Sequence, residues 1–195
     1  MRIREVVLPT PEPEALAGFH ADFPSATRLR FEPGPAVCSH VALNVPPDRF
    51  EEAVAFARER VELLADDVSF PHWRARAAYF YDPAGNLIEL IARERAPGRE
   101  LFLELSEVGL PVTDVGAAVE FLESELGLAH FSGDRQSFSA VGDDRGLFIL
   151  VPVGRQWLFT DRPAPRHPIE VTIEAERDAE LRLPGSEHMV RLASS

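Results

Sequence analysis

The 195-residue sequence predicts an α+β fold built from repeated strand–helix–strand units, with the first and last units abbreviated. Three observations carry this. Four segments share a strand-like pattern. The first three are followed by helical periodicity. The two central units then return to strands that flank short polar turns.

The strand-like segments lie at residues 4–9, 39–46, 106–112 and 169–173. Each alternates branched apolar residues with others, as a half-buried strand does. After the second segment, Asp48 is the predicted N-cap of a helix carrying Phe50, Val54, Phe56, Ala57 and Val61 at near-helical spacing. After the third, Thr113-Asp114 leads into Val115, Ala118, Val119, Leu122 and Leu126, and Gly127 ends the helix. The helix after the first segment, at about residues 12–19, is shorter and weaker.

Return strands are predicted at 75–81 and 87–92, flanking Asp82-Pro83-Ala84-Gly85-Asn86, whose composition suits a tight turn. A second pair, at 137–141 and 146–151, flanks residues 142–145. The fourth unit shows no helix, only short strands near 180–183 and 189–192. The units therefore span 1–36, 37–95, 100–155 and 165–195, with a linker at 92–98 and an irregular surface loop at 157–167.

Composition bounds the function. Apolar residues make up 45% of the chain, enough for a core, yet runs such as 147–153 are too short to span a bilayer. A formal charge of −12 repels phosphate backbones and argues against nucleic-acid partners. All twenty basic residues are arginine, which excludes Schiff-base lysine chemistry. The single cysteine, Cys38, allows neither an internal disulfide nor a cysteine zinc site and reads as a buried, inert thiol. The chain opens directly on a strand pattern with no apolar leader, so the expectation is a cytoplasmic protein without a membrane partner.

The second unit opens with Ser39-His40-Val41-Ala42-Leu43-Asn44-Val45. It closes with Tyr79-Phe80-Tyr81-Asp82-Pro83-Ala84-Gly85-Asn86-Leu87-Ile88-Glu89-Leu90-Ile91. These residues resemble the vicinal oxygen chelate family, which includes glyoxalases, extradiol dioxygenases and bleomycin-resistance proteins. The resemblance covers 38–95 strongly, 100–152 well, and both ends faintly. It implies βαβββ units that pair and curl their mixed sheets into cups. Units one and two would form a first module, 1–95, and units three and four a second, 100–195.

In the family's metal-dependent members, ligands come from the first strands of two paired units and a last strand. Carried over, these positions are Glu5, His40 and Glu89. A further carboxylate position of the glyoxalases falls near Arg28, which cannot ligate a metal and is placed among the substrate-facing residues. Two carboxylates and an imidazole suit Mn²⁺, Fe²⁺, Ni²⁺ or Zn²⁺ and leave positions open for substrate. Without metal, two converging carboxylates would repel, so one takes a proton or finds an arginine. The second cup offers Glu107, Glu170 and Arg191, which predicts a structural ion pair and no metal.

His72 and Trp73 stand before a cup-lining strand, where they would cover the opening. Either Tyr79 or Tyr81 would offer its hydroxyl to a ligand, depending on which faces the cup. The function implied is a metal-dependent enzyme acting on a small oxygenated molecule through Lewis-acid stabilisation of an oxyanion, with Glu5 or Glu89 moving a proton. The alternative is a metal-free small-molecule binder resembling the antibiotic-sequestering members, with Trp73, Tyr79, Phe80 and Tyr81 as its walls. The chain would act as a monomer or a homodimer.

Overall fold

The computed structural model describes residues 1–94 and 98–194. Its elements follow the predicted units. The first is β1 (Ile3–Thr10), α1 (Pro13–His20) and β2 (Arg28–Pro33). The second is β3 (His40–Asn44), α2 (Phe50–Arg58), β4 (Leu63–Phe70), β5 (Ala75–Tyr81) and β6 (Leu87–Arg93). The third is β7 (Leu105–Val112), α3 (Val115–Leu126), β8 (His130–Gly133), β9 (Ser139–Asp143) and β10 (Gly146–Pro152). The fourth is β11 (Glu170–Glu174), β12 (Ala179–Arg182) and β13 (Met189–Ala193). The central units are complete βαβββ repeats and the terminal ones are abbreviated. In every unit the first strand pairs in parallel with the last.

Three strands escape sequence reading: β2, β4 and β8. None of them carries a buried residue, so the apolar alternation that marks a strand is missing. The predicted linker at 92–98 lies partly outside the described residues, at 95–97; Ala92 and Arg93 belong to β6.

The pairing of units differs from the expectation. One sheet has eight strands in the order β4-β5-β6-β3-β7-β10-β9-β8, and the other has five, β12-β13-β11-β1-β2. Units two and three therefore share one sheet, and units one and four the other. The modules 1–95 and 100–195 are not the paired modules. In both sheets the join is an antiparallel contact between first strands, β3 with β7 and β1 with β11. Complete units pair with each other and abbreviated units pair with each other, so the large sheet has four strands on either side of its join and the small sheet three and two.

The core lies on the convex side of the large sheet. Val41, Leu43, Phe80, Leu90, Val108 and Leu150 pack there with Phe50 and Val54 of α2, Val119 and Leu122 of α3, and Val6, Val171 and Val190 of the small sheet. Phe23 joins Phe56, Phe80 and Phe102 in an aromatic cluster with ring centroids 5.3–5.5 Å apart.

Helix α3 starts and stops as predicted. The Asp114 carboxylate accepts a 3.0 Å hydrogen bond from the Ala117 amide, and Gly127 ends the helix at φ 63°, a conformation glycine adopts without steric cost. Asp48 caps nothing. It sits inside a 3-10 turn, Pro47–Arg49, and α2 begins without a side-chain cap. Among the described residues, no helix is long and apolar enough to cross a membrane.

His188 fastens the starts of β11 and β13 to the end of β7. Its Nδ1 accepts from the Ile169 amide at 3.0 Å and its Nε2 donates to the Pro111 carbonyl at 2.7 Å. Both nitrogens are engaged by the neutral ring, and burial depresses the pKa to about 4. The unfolded chain takes up this proton near pH 6.5, before the folded one does. This contribution to stability is therefore complete above pH 6.5 and lost as pH falls towards 4. Urea unfolding at pH 7 and pH 4.5 should show a loss of roughly 2–3 kcal/mol that His188→Gln removes. An unchanged pH dependence in the variant would refute this role.

Candidate functional site

Strands β6, β3 and β7 are neighbours at the centre of the large sheet. Val41, Leu43, Ile88 and Leu90 point to the convex core, so His40, Ala42, Leu87, Glu89 and Ile91 face the concave side. Register then decides who meets. Ala42 lies opposite Glu89 on one flank and Glu107 on the other. A methyl group between two glutamates leaves room for both to lean inward, and His40 sits two residues along the same face. One donor atom from each of His40, Glu89 and Glu107 lies within 4.8 Å of the other two.

The group is shielded from water. His40, Glu89 and Glu107 are only 5%, 4% and 2% exposed. His40 Nε2 stands 3.0 Å from a Glu89 carboxylate oxygen. Arg93, also buried, follows Glu89 by four residues on the same face. Its guanidinium donates to Asn44 Oδ1 and Ser106 Oγ, both at 2.8 Å, and pairs with Glu107. Two buried carboxylates without this cation would carry an uncompensated charge. Burial, then the neighbouring Glu89 charge, pushes the Glu107 carboxyl up to about 7, against the pull of Arg93 and His40. Burial, followed by the charges of Glu89 and Glu107, holds the Tyr79 phenol far above its ordinary range, so Tyr79 stays a neutral hydroxyl beside Glu89.

The Asp82–Asn86 turn braces this geometry. Asp82 accepts from the Ala84 and Asn86 amides at 3.0 and 2.9 Å and from the Asn86 side chain at 2.9 Å. Asn86 Oδ1 in turn accepts from the Ser39 amide at 3.1 Å, and the Leu87 amide donates to the Ser39 carbonyl at 2.8 Å. The turn thus ties the start of β6 to the start of β3 and sets the offset between Glu89 and His40.

A segment after β10 crosses the concave face as a strap. Its ends close through hydrogen bonds from the Gly154 amide to Ala164 and from the Ala164 amide to Arg155, at 2.9 and 2.8 Å. Trp157 is buried against His40, with ring centroids 5.3 Å apart, and its indole N–H donates to the Cys38 carbonyl at 2.8 Å. Gly109 makes room: a Cβ there would meet the Trp157 ring at 2.6 Å and His40 at 3.0 Å. Under the strap lies a cavity of about 290 Å³, walled by Phe70, Trp73, Tyr79, Phe138, Ile149 and Trp157, with the His40, Glu89 and Glu107 group at its floor.

Of the residues expected at this site, His40, Glu89, Trp73 and Tyr79 line the cavity. Glu5 does not. It belongs to the small sheet, where Arg28 and Arg30 hold its carboxylate at 3.3 and 3.4 Å. Arg28 is exposed there and faces no cavity ligand. Both departures follow from the unit pairing: the first strand beside β3 is β7, which supplies Glu107. His72 is exposed and flanks a separate groove with Arg74, Arg93 and Phe131. Tyr79 and Tyr81 share a face because they are two residues apart. Tyr81 is half-buried beneath the Arg162 guanidinium, 4.1 Å from its ring centroid, away from the cavity.

The expected structural ion pair is present with altered membership. Arg191 pairs with Glu170 and, at 2.9 Å, with Glu180, while Glu107 belongs to the large cup. The small sheet thus puts arginine where the large sheet puts Glu89: Val7 faces Arg30 as Ala42 faces Glu89, and Thr172 faces Arg191. Gly109 faces Ile149 in the remaining equivalent place, so the large cup has an aliphatic side chain at its fourth position.

Four site residues were missed by sequence reading: Glu107, Arg93, Trp157 and Arg155. Arg93 had a visible signal, because alternation from Glu89 through Ile91 puts it on the same face. Glu107 was assigned to the wrong cup. Trp157 and Arg155 lie where no periodicity points.

No family model and no curated protein matches the chain. Solved structures do. A Bacillus subtilis protein provisionally described as a dioxygenase superposes with a TM-score of 0.69 at 14% identity, covering 100% of this chain and 85% of that one. Glyoxalase I from Zea mays superposes with a TM-score of 0.64 at 13% identity, covering 99% of this chain and 92% of that one. The chain has the vicinal oxygen chelate fold. Its paired βαβββ units and concave mixed sheet are that fold's architecture, and the His/Glu/Glu group of this vicinal oxygen chelate fold sits on the concave face.

Proposed function

We propose that the chain is a metal-dependent enzyme of the glyoxalase/dioxygenase type, acting on a small oxygenated molecule bound beneath the strap. The observation that carries this reading is the convergence of three buried donor atoms within 4.8 Å at the floor of an aromatic cavity. The donor set fits a divalent ion such as Mn²⁺, Fe²⁺, Ni²⁺ or Zn²⁺: one imidazole and two carboxylates, with the fourth equivalent position aliphatic and therefore not a ligand. His40, Glu89 and Glu107 would hold it. When bound, such an ion supplies Lewis acidity to neighbouring substrate oxygens. Tyr79 keeps its proton and offers a hydrogen bond into the cavity. Glu107 and Glu89 are the carboxylates placed to hold or accept a proton, and Glu5 has no part. Arg93 offsets one buried negative charge, and Trp157 excludes water from His40.

One observation favours a metal-free binding protein instead. Arg93 already pairs with Glu107, and His40 Nε2 already lies at hydrogen-bond distance from Glu89, so both carboxylates have a partner without an ion. The two readings part in a single experiment. Purified without tags, the chain should retain about one equivalent of metal by elemental analysis. After chelation, adding Mn²⁺, Fe²⁺, Ni²⁺ or Zn²⁺ should raise the melting temperature, by an amount equivalent to about 2.7 kcal/mol at a hundredfold excess over Kd. A chain that holds no metal and gains nothing from any of the four is the metal-free binder.

A further inference from the structure

We propose that Arg155 is the specificity-determining residue of the cavity and that it selects an aromatic carboxylate. The inference rests on reading the cavity as a small-molecule site, but not on the metal. Three observations carry it. Both tryptophans of the sequence, Trp73 and Trp157, line the cavity together with Phe70 and Phe138, which favours a flat, apolar ligand body. Arg155 is the one arginine on the lining, and its guanidinium lies 5.6 Å from the Phe138 ring centroid, at the exposed end of the strap. It forms no salt bridge among the described residues, whereas Arg93 at the opposite depth is paired with Glu107 and bonded to Asn44 and Ser106.

An unpaired cation at the mouth of a cavity whose floor holds two carboxylates is a polar arrangement with a direction. Near the floor an anion meets Glu89 and Glu107, whereas at the mouth it meets the Arg155 guanidinium. The guanidinium fork matches a planar carboxylate through two parallel hydrogen bonds. A ligand with its ring among Trp73, Phe138 and Trp157 and its carboxylate on Arg155 would present its far edge to His40, Glu89 and Glu107. The aliphatic Ile149 and Leu158 complete the walls and offer no competing donor.

The test is calorimetric titration of 2-naphthoate and of its neutral counterpart 2-naphthamide, in chelator, against the wild-type chain, Arg155→Met and Arg155→Lys. Arg155 is exposed, so folding is not at risk. Wild type should bind the acid more tightly than the amide. Arg155→Met should weaken the acid roughly 10–100-fold, the span of a charge-assisted hydrogen bond, and leave the amide unchanged. Arg155→Lys should restore part of the loss. Equal binding of acid and amide by wild type, an unchanged acid affinity in Arg155→Met, or no binding of either probe would each overturn the proposal. Chelator removes any contact between carboxylate and metal, so a failure of metal binding elsewhere leaves this result standing on its own.

Discussion

Arg93→Met should lower the unfolding free energy by roughly 3–5 kcal/mol, the cost of breaking a buried ion pair by removing one partner. The arginine is 2% exposed, and its hydrogen bonds to Asn44 and Ser106 are lost with its charge. What remains is Glu107, buried beside Glu89 with no cation to oppose it. Its carboxyl would rise further above its position of about 7, so the loss should be smaller at pH 5, where the protonated acid needs no partner, than at pH 8. Arg93→Met with Glu107→Leu should recover most of the stability, because a buried pair replaced by apolar groups is often neutral. Denaturant unfolding of the two single variants and the double variant gives the coupling directly. Should Arg93→Met cost less than about 1 kcal/mol, or the double variant fall as far as the sum of the singles, the pair does not hold the site together. Under the metal reading there is a further consequence. Added Mn²⁺ should stabilise Arg93→Met more than wild type, since the ion supplies the positive charge that the arginine took with it.

His40→Ala should weaken metal binding by at least about 100-fold, more than loss of a group that merely orients a ligand. His40 is the only nitrogen donor in the set, and its ring is pinned between Glu89 at 3.0 Å and Trp157 at 5.3 Å between centroids. Glu89→Gln tests the neighbouring position with less change of volume and should behave alike. The readout is the metal-induced rise in melting temperature, which should vanish in both variants while the metal-free proteins still unfold cooperatively. Retention of the wild-type metal response in either variant would place the metal elsewhere or remove it from the account. Glu5→Gln is the control. Among the described residues its ion pairs are with Arg28 and Arg30 of the small sheet, so metal binding should not change.

Much of this was legible in the sequence. Alternation and helical spacing located the repeats, the Asp114 cap and the Gly127 stop, because these depend on neighbours within a few residues. The Asp82–Asn86 turn announced itself for the same reason, and its bonds to Ser39 explain why it accompanies the His40 strand. Glu89 and His40 could be matched through that motif. Arg93 was within reach of the same alternation, but its charge next to a proline and a glycine read as linker.

The sequence by itself determined the four repeats, their abbreviation at both ends, and the alternation that turns His40 and Glu89 to one face. Only the tertiary structure decided that β3 joins β7, and with it that Glu107 rather than Glu5 completes the group. The physical reason is that β1 and β7 present the same kind of first-strand pattern, and either would satisfy the open edge of β3. Which one does is set by side-chain packing across the whole core, a sum over contacts distant in sequence. The strap is the same case. Trp157 reaches His40 only because Gly109, on a strand some fifty residues earlier, has no side chain in the way.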